Sequence, residues 1–271
     1  MAKKITKKQD GKKRVLVLIP TNEDKKYCVG KFLTHLKKIQ TSGKDFEADF
    51  LFTDDSRDKA YHEESFARFG YEIIRVGDTV DKFAQGKSVE IRQCLCNARS
   101  LLRQEFRKRT KYTHALYLDS DILPPLDVIP RLLEWNKDIV SGLYWQKSVR
   151  ENVNGKEFVD DSPVCFKYQD VETCEMGLAN LGSTLVPEEI RPSRLLGDLG
   201  DYVQITAIGT GCLMLSRKAM EDNWAFRWDV TTKATEDMHF SIDIKKLGYP
   251  IYADSHVLCR HYNRPWKTQM R

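Results

Sequence analysis

The sequence predicts an α/β protein with a mainly parallel central sheet, helices on both faces and an extension in its second half. Three observations lead there. Short apolar runs of strand length alternate with longer stretches of helical spacing. The runs are continuous rather than alternating, as in Arg14-Val-Leu-Val-Leu-Ile19, which marks strands buried on both faces. Strand–helix alternation implies right-handed crossovers between parallel strands.

The elements follow in order. After Arg14–Ile19, Pro20-Thr-Asn-Glu-Asp breaks the strand, and a helix carries Val29, Phe32, Leu36 and Ile39 on one stripe. Phe46–Phe52 is a second strand ending in Thr53-Asp-Asp-Ser56, an amphipathic stretch runs to about Phe69, and Tyr71–Val76 is a third strand. A long helix over about Ser88–Lys108 turns Ile91, Leu95, Ala98 and Leu102 inward. Ala115–Leu118 is the next strand, Leu126–Asn136 a short helix and Asp138–Trp145 a further strand. Residues 146–203 mix charge, Gly and Pro without clear periodicity, which marks a functional or mobile stretch. Val203–Ser216 returns to strand character. Glu236–Leu247 is a helix with Phe240, Ile244 and Leu247 inward, stopped at Gly248, and Tyr249–Cys259 is the last strand.

The 271 residues suffice for one large domain with a sizeable core. A basic, disordered tail is expected over 1–13, and a single domain over 14–271 with halves at about 14–125 and 126–271. Lys3, Lys4, Lys7, Lys8, Lys12 and Lys13 supply part of the net charge of +5 and offer a peripheral contact with an anionic membrane surface. No apolar run is long enough to span a bilayer and no hydrophobic signal region opens the chain, so a cytoplasmic protein is expected. The seven cysteines form no C-x-x-C pair, which speaks for free thiols and against zinc.

The chemistry concentrates in Tyr117-Leu-Asp-Ser-Asp121. In an extended segment residues i and i+2 share a side, roughly 6–7 Å apart, so Asp119 and Asp121 can reach one divalent cation. Mg²⁺ and Mn²⁺ take oxygen ligands and share them with substrate phosphates. The plainer alternative is that the pair ends a strand and caps the following helix. Ligands of parallel sheets sit beyond the carboxyl ends of the strands, where Pro20, Asp54, Asp55, Asp119 and Asp121 all fall.

Four segments carry a resemblance to the GT-A-type glycosyltransferases, and most to their family-2-like group. They are Ile19-Pro-Thr21, Thr53-Asp-Asp-Ser-Arg-Asp58, Tyr117-Leu-Asp-Ser-Asp121, and the ending formed by Gly209-Thr-Gly-Cys-Leu-Met-Leu-Ser-Arg217, Thr235-Glu-Asp237 and Cys259-Arg-His261. The resemblance spans about Arg14 to Asn263 and implies sugar transfer from a nucleoside-diphosphate sugar, UDP first and GDP second, to a hydroxyl on a glycan, lipid or protein. It implies Mn²⁺ or Mg²⁺ as cofactor, held by Asp119, Asp121 and His261, with His256 as the fallback histidine. Pro20, Thr21, Asp54, Asp55 and Arg99 would face the donor, and Asp237 would be the general base of an inverting reaction. Trp145, Gly209, Thr210, Gly211 and Glu236 would lie on the acceptor side, with Tyr144 a lesser candidate. His35, His62, His114 and His239 have no such context.

The chain departs from processive synthases. Arg227-Trp228 is present, but Trp224 stands where their Q-x-x-R-W signature has Gln, so non-processive transfer is expected. A nucleotidyltransferase making nucleotide sugars is the rival among enzymes, though Ile19-Pro-Thr-Asn-Glu holds no Gly-rich phosphate loop. Outside enzymes, the rival is a basic protein binding nucleic acid or membrane. No nucleic-acid motif is visible, and no nucleic-acid partner is expected.

Overall fold

A computed structural model of the chain describes residues 11–56, 61, 66, 69–76, 87–151, 154–167, 172, 193–194, 202–229, 234–262 and 266–267. The expected tail over residues 1–10, and His62, lie outside them. The strands are β1 (Lys13–Thr21), β2 (Phe46–Asp54), β3 (Glu72–Arg75), β4 (His114–Leu118), β5 (Ile122–Leu123), β6 (Ile139–Leu143), β7 (Trp145–Glu151) and β8 (Glu157–Pro163). They continue with β9 (Cys165–Lys167), β10 (Ser193–Arg194), β11 (Tyr202–Ile205), β12 (Ala207–Ile208), β13 (Cys212–Ser216), β14 (Ile251–Leu258), β15 (Arg260–His261) and β16 (Trp266–Lys267). The helices are α1 (Val29–Leu36), α2 (Lys87–Lys108), α3 (Val128–Glu134), α4 (Arg217–Glu221) and α5 (Glu236–Lys246).

Eight strands form the central sheet in the order β11-β14-β6-β13-β4-β1-β2-β3. Six run one way, while β13 and β11 oppose their neighbours, so the sheet is mixed but mainly parallel. Both halves of the sequence contribute strands to it. The period-2 geometry of β1 divides the core. Val15, Val17 and Ile19 pack with α1 and α3 on one face, and Leu16 and Leu18 pack with α2, α4 and α5 on the other. The continuous apolar run thus serves two helical layers at once. Pro20 costs no pairing with β4, because that ladder covers only Val15–Leu18.

Several expectations change. β1 begins at Lys13, inside the expected tail, where it pairs with Phe46. The strand character expected over Val203–Ser216 resolves into three strands, of which β12 belongs to a separate small sheet with β9. Residues expected to lack clear elements form an antiparallel hairpin, β7–β8, with Trp145 opposite Pro163 and Glu151 opposite Glu157. Its turn holds Asn154-Gly155, with Gly155 at φ 74°, the left-handed conformation that an Asn-Gly pair favours. Leu247 does not point inward. It is 37% exposed, because the helix ends there and Gly248, at φ 82°, turns the chain away. The Gly248 amide closes on Lys245 O at 2.9 Å and the Tyr249 amide on Ile244 O at 3.1 Å, satisfying the last carbonyls. Leu95 is half-buried, Ala98 and Leu102 are buried as expected, and the Ile91 side chain lies outside the description.

Candidate functional site

The carboxyl end of β4, in the same sheet as β1 and β2, meets a turn arriving from the second half of the chain. β13 starts where β4 stops, with Cys212 opposite Leu118, so Gly209–Gly211 lies against the end of β4. The Asp119 amide donates to Gly211 O at 3.0 Å. A Cβ on Gly211 would fall 2.3 Å from Ile122 Cδ1 and 3.0 Å from Asp119 Oδ2, and one on Gly209 would fall 1.9 Å from the Tyr144 hydroxyl. Both glycines are therefore required by close approach. Tyr144 is buried beneath them, with its hydroxyl accepting from the Gly211 amide at 3.2 Å, and offers no free face to a sugar ring. The Trp145 side chain packs against the core, and its carbonyl receives His261 Nδ1 at 2.8 Å.

Asp119 and Asp121 leave β4 together but take different partners. β5, just past Asp121, pairs antiparallel with β15, setting His261 opposite Ile122. That pairing brings His261 Nε2 to 3.5 Å from Asp121 Oδ2, and the Tyr262 amide donates to Asp121 O at 2.8 Å. Lys25, on the short turn Glu23–Lys25 after β1, places its ammonium 2.5 Å from the same Oδ2. Burial pushes the Asp121 carboxyl up, but His261 and Lys25 outweigh it and hold the group at about 2. Burial likewise opposes the Lys25 ammonium, and Asp121 more than compensates, raising it above its ordinary value. His256, the fallback, is exposed and sits beside Asp254 in a different cleft, of about 500 Å³.

Asp119 turns the other way, into the sheet's second layer. Its Oδ1 accepts from Arg99 Nη2 at 2.7 Å, and Arg99 Nη1 pairs with Glu236 at the start of α5. Arg99 is 2% exposed. Burial opposes its charge, but the carboxylates of Asp119 and Glu236 more than restore it. One buried guanidinium thus ties the end of β4 to the first turn of α5. Asp237 follows Glu236. Its Oδ1 accepts from the Thr235 hydroxyl and from the Met238 amide, the latter at 2.9 Å. Burial is the main cause that raises the Asp237 carboxyl above the usual range, against the pull of Thr235 and Arg99. Glu236 is raised as well, by burial and by Asp237 beside it, despite Arg99.

The base-facing candidates separate. Asp54 is fully buried; its Oδ2 receives Arg75 Nη1 at 2.6 Å and its Oδ1 the Ser56 amide at 2.9 Å. Its carboxylate holds the end of β2 rather than projecting from it. Asp55 is half-buried one residue further on, its amide donating to Thr21 O at 3.1 Å. The Thr21 hydroxyl lies 3.3 Å from the Tyr61 hydroxyl. His35 and His114 are ordinary: His35 Nε2 lies 2.7 Å from Pro124 O, and burial lowers His114 to about 4.

Buried polar atoms normally find a partner. Among the described residues Asn22 Oδ1, Thr53 Oγ1, Ser56 Oγ, Arg99 Nε, Ser120 Oγ, Thr210 Oγ1, Trp228 Nε1 and His239 Nε2 have none; five of these eight, at Asn22, Thr53, Ser56, Ser120 and Thr210, stand at the strand ends or the β13 turn. Such a gathering suits a polar ligand. No group of three or more His, Cys, Asp or Glu side chains among the described residues forms a ready-made metal cage. Asp121 and His261 nonetheless fit a cation that arrives with most of its ligands already on a phosphate, as Mg²⁺ and Mn²⁺ commonly do. Sequence reasoning missed Lys25 and Arg75, whose roles depend on partners remote in sequence. No described helix is long and apolar enough to cross a membrane.

No protein-family model and no curated protein matches this chain. Among solved structures it is similar to the crystal structure of A197 from STIV, at 14% identity over 93% of this chain and 86% of that one, with a TM-score of 0.44. That likeness is too distant to bear on the function.

Proposed function

We propose that the chain is a GT-A-type glycosyltransferase that moves a sugar from a nucleoside-diphosphate donor to an acceptor hydroxyl, aided by Mn²⁺ or Mg²⁺. The observation that carries this reading is the meeting of Asp121 with His261 through the β5·β15 pairing, beside a second acidic corner at Asp237. It is supported by the unpartnered polar atoms along the same strand ends. Asp121 and His261 would hold the cation, which when bound supplies positive charge to the leaving diphosphate.

The chain's own groups divide the remaining work. Arg99, held by Asp119 and Glu236, keeps the two corners in register. The glycines of the Gly209–Gly211 turn let it pack directly on Tyr144 and Ile122, which fixes the end of β4 beside it. Asp237 Oδ2 would take the proton of the acceptor hydroxyl as it attacks the anomeric carbon, while the sugar–phosphate bond breaks with its electron pair going to the diphosphate. A carboxylate raised by burial is a stronger base than a solvated one, which suits that role near neutral pH. Asp55 would face the base, with UDP favoured over GDP.

The test is a thermal-shift screen of UDP, GDP and their sugars, with and without Mn²⁺. A nucleotide at about 100 times its dissociation constant should stabilise the fold by about 2.7 kcal/mol. The response should be strengthened by Mn²⁺, and that dependence on Mn²⁺ should be lost in Asp121→Ala. No shift with any nucleotide would overturn the reading.

A further inference from the structure

The oxygen of Asp121 that faces His261 is also the one that Lys25 holds. The Asp121 side chain is 6% exposed and the Lys25 side chain 30%, so the carboxylate is buried and the ammonium reaches it from the rim. A buried carboxylate requires a counter-charge. We propose that Lys25 is a built-in counter-cation that occupies the cation seat in the free protein and yields it when a diphosphate arrives to take the ammonium. This rests on the reading of Asp121 and His261 as that seat.

The geometry supports an exchange rather than sharing. A divalent ion held by Asp121 and His261 would share its carboxylate with the Lys25 ammonium, which is bound to the same oxygen. Like charges so placed in a poorly solvated corner repel strongly. The lysine can leave, because its flexible stem springs from a short turn at the rim. The base of that turn stays, since the Cys28 amide donates to Lys25 O at 2.9 Å and the Cys28 thiol lies 3.8 Å from Ser120 O. A diphosphate carries enough negative charge to hold the displaced ammonium and the divalent ion together. A neutral sugar does not. Cation and diphosphate would therefore bind cooperatively, and the metal alone only weakly.

Titration of Mn²⁺ without nucleotide, read by the electron paramagnetic resonance of the free ion, tests the exchange. Lys25→Met should bind Mn²⁺ at least about tenfold more tightly than wild type, and Lys25→Arg, which keeps the charge, should match wild type. Lys25→Gln is read alongside, should Lys25→Met fail to fold. Equal or weaker Mn²⁺ binding in the neutral variants overturns the proposal. Inorganic pyrophosphate in metal-free buffer should bind Lys25→Met about tenfold less tightly by calorimetry, and unchanged affinity overturns the hand-over. Asp121→Asn separates the two readings. It should abolish Mn²⁺ binding, and wild-type affinity there would overturn the cation seat itself.

Discussion

Asp121 and Asp237 stand at two corners of one candidate site, and their surroundings push them in opposite directions. Asp121 meets Lys25 and His261 and is held at about 2. Asp237 is half-buried beside Glu236, the cation of Arg99 is taken up by Glu236 and Asp119, and its carboxyl is raised. Burial opposes the charge in both. The difference lies in whether a cation is close enough to overcome it. One corner is suited to binding positive charge, the other to accepting a proton.

The comparison is tested hardest at Asp237. Asp237→Asn removes the basicity but keeps the shape, so turnover should fall about 10²- to 10⁴-fold with donor binding nearly unchanged. In wild type the rate should rise with pH as Asp237 ionises, above the ordinary carboxylate range, and that rise should vanish in the variant. A raised carboxyl also means that the fold loses stability as pH rises through its titration. Asp237→Asn should therefore melt no lower than wild type at neutral pH. Near-normal turnover would assign the base elsewhere.

Arg99 is the link between the corners, and its removal should act on stability first. Arg99→Met leaves Asp119 and Glu236 buried without their cation, at a cost of roughly 3–5 kcal/mol by chemical denaturation. A cost below about 1 kcal/mol would mean that the corners are independent.

The smallest effect concerns acid. Asp121 is depressed relative to an unfolded carboxylate of 3.8, so its stabilisation is complete above that value and lost as pH falls toward about 2. It amounts to about 2 kcal/mol. Denaturant midpoints between these values should fall more steeply for wild type than for Asp121→Asn. Parallel curves would place the depression elsewhere.

The layers of the fold could be read from the chain itself, because each rests on local periodicity. The continuous run in β1 was buried on both faces, α1 used the stripe of Val29, Phe32 and Leu36, and Gly248 ended α5. The hairpin at Asn154-Gly155 was equally local and could have been found from that pair, although its strands lack the apolar alternation that usually draws notice. The expectation of Leu247 as an inward residue extended the helical period one residue too far.

What the sequence by itself determined was the main strand–helix alternation and the arrival of Asp119 and Asp121 at the end of β4. A strand's length and its side-chain alternation depend only on neighbours along the chain. Tertiary structure alone decided the partners. Asp54 turned inward to Arg75, Arg99 reached across to Glu236, and Lys25 and His261 converged on Asp121. Each of these pairs joins residues on different elements, and their distance is set by strand order and register. An ion pair leaves no periodic trace in sequence, since either partner by itself reads as an ordinary charged residue on a turn or a helix.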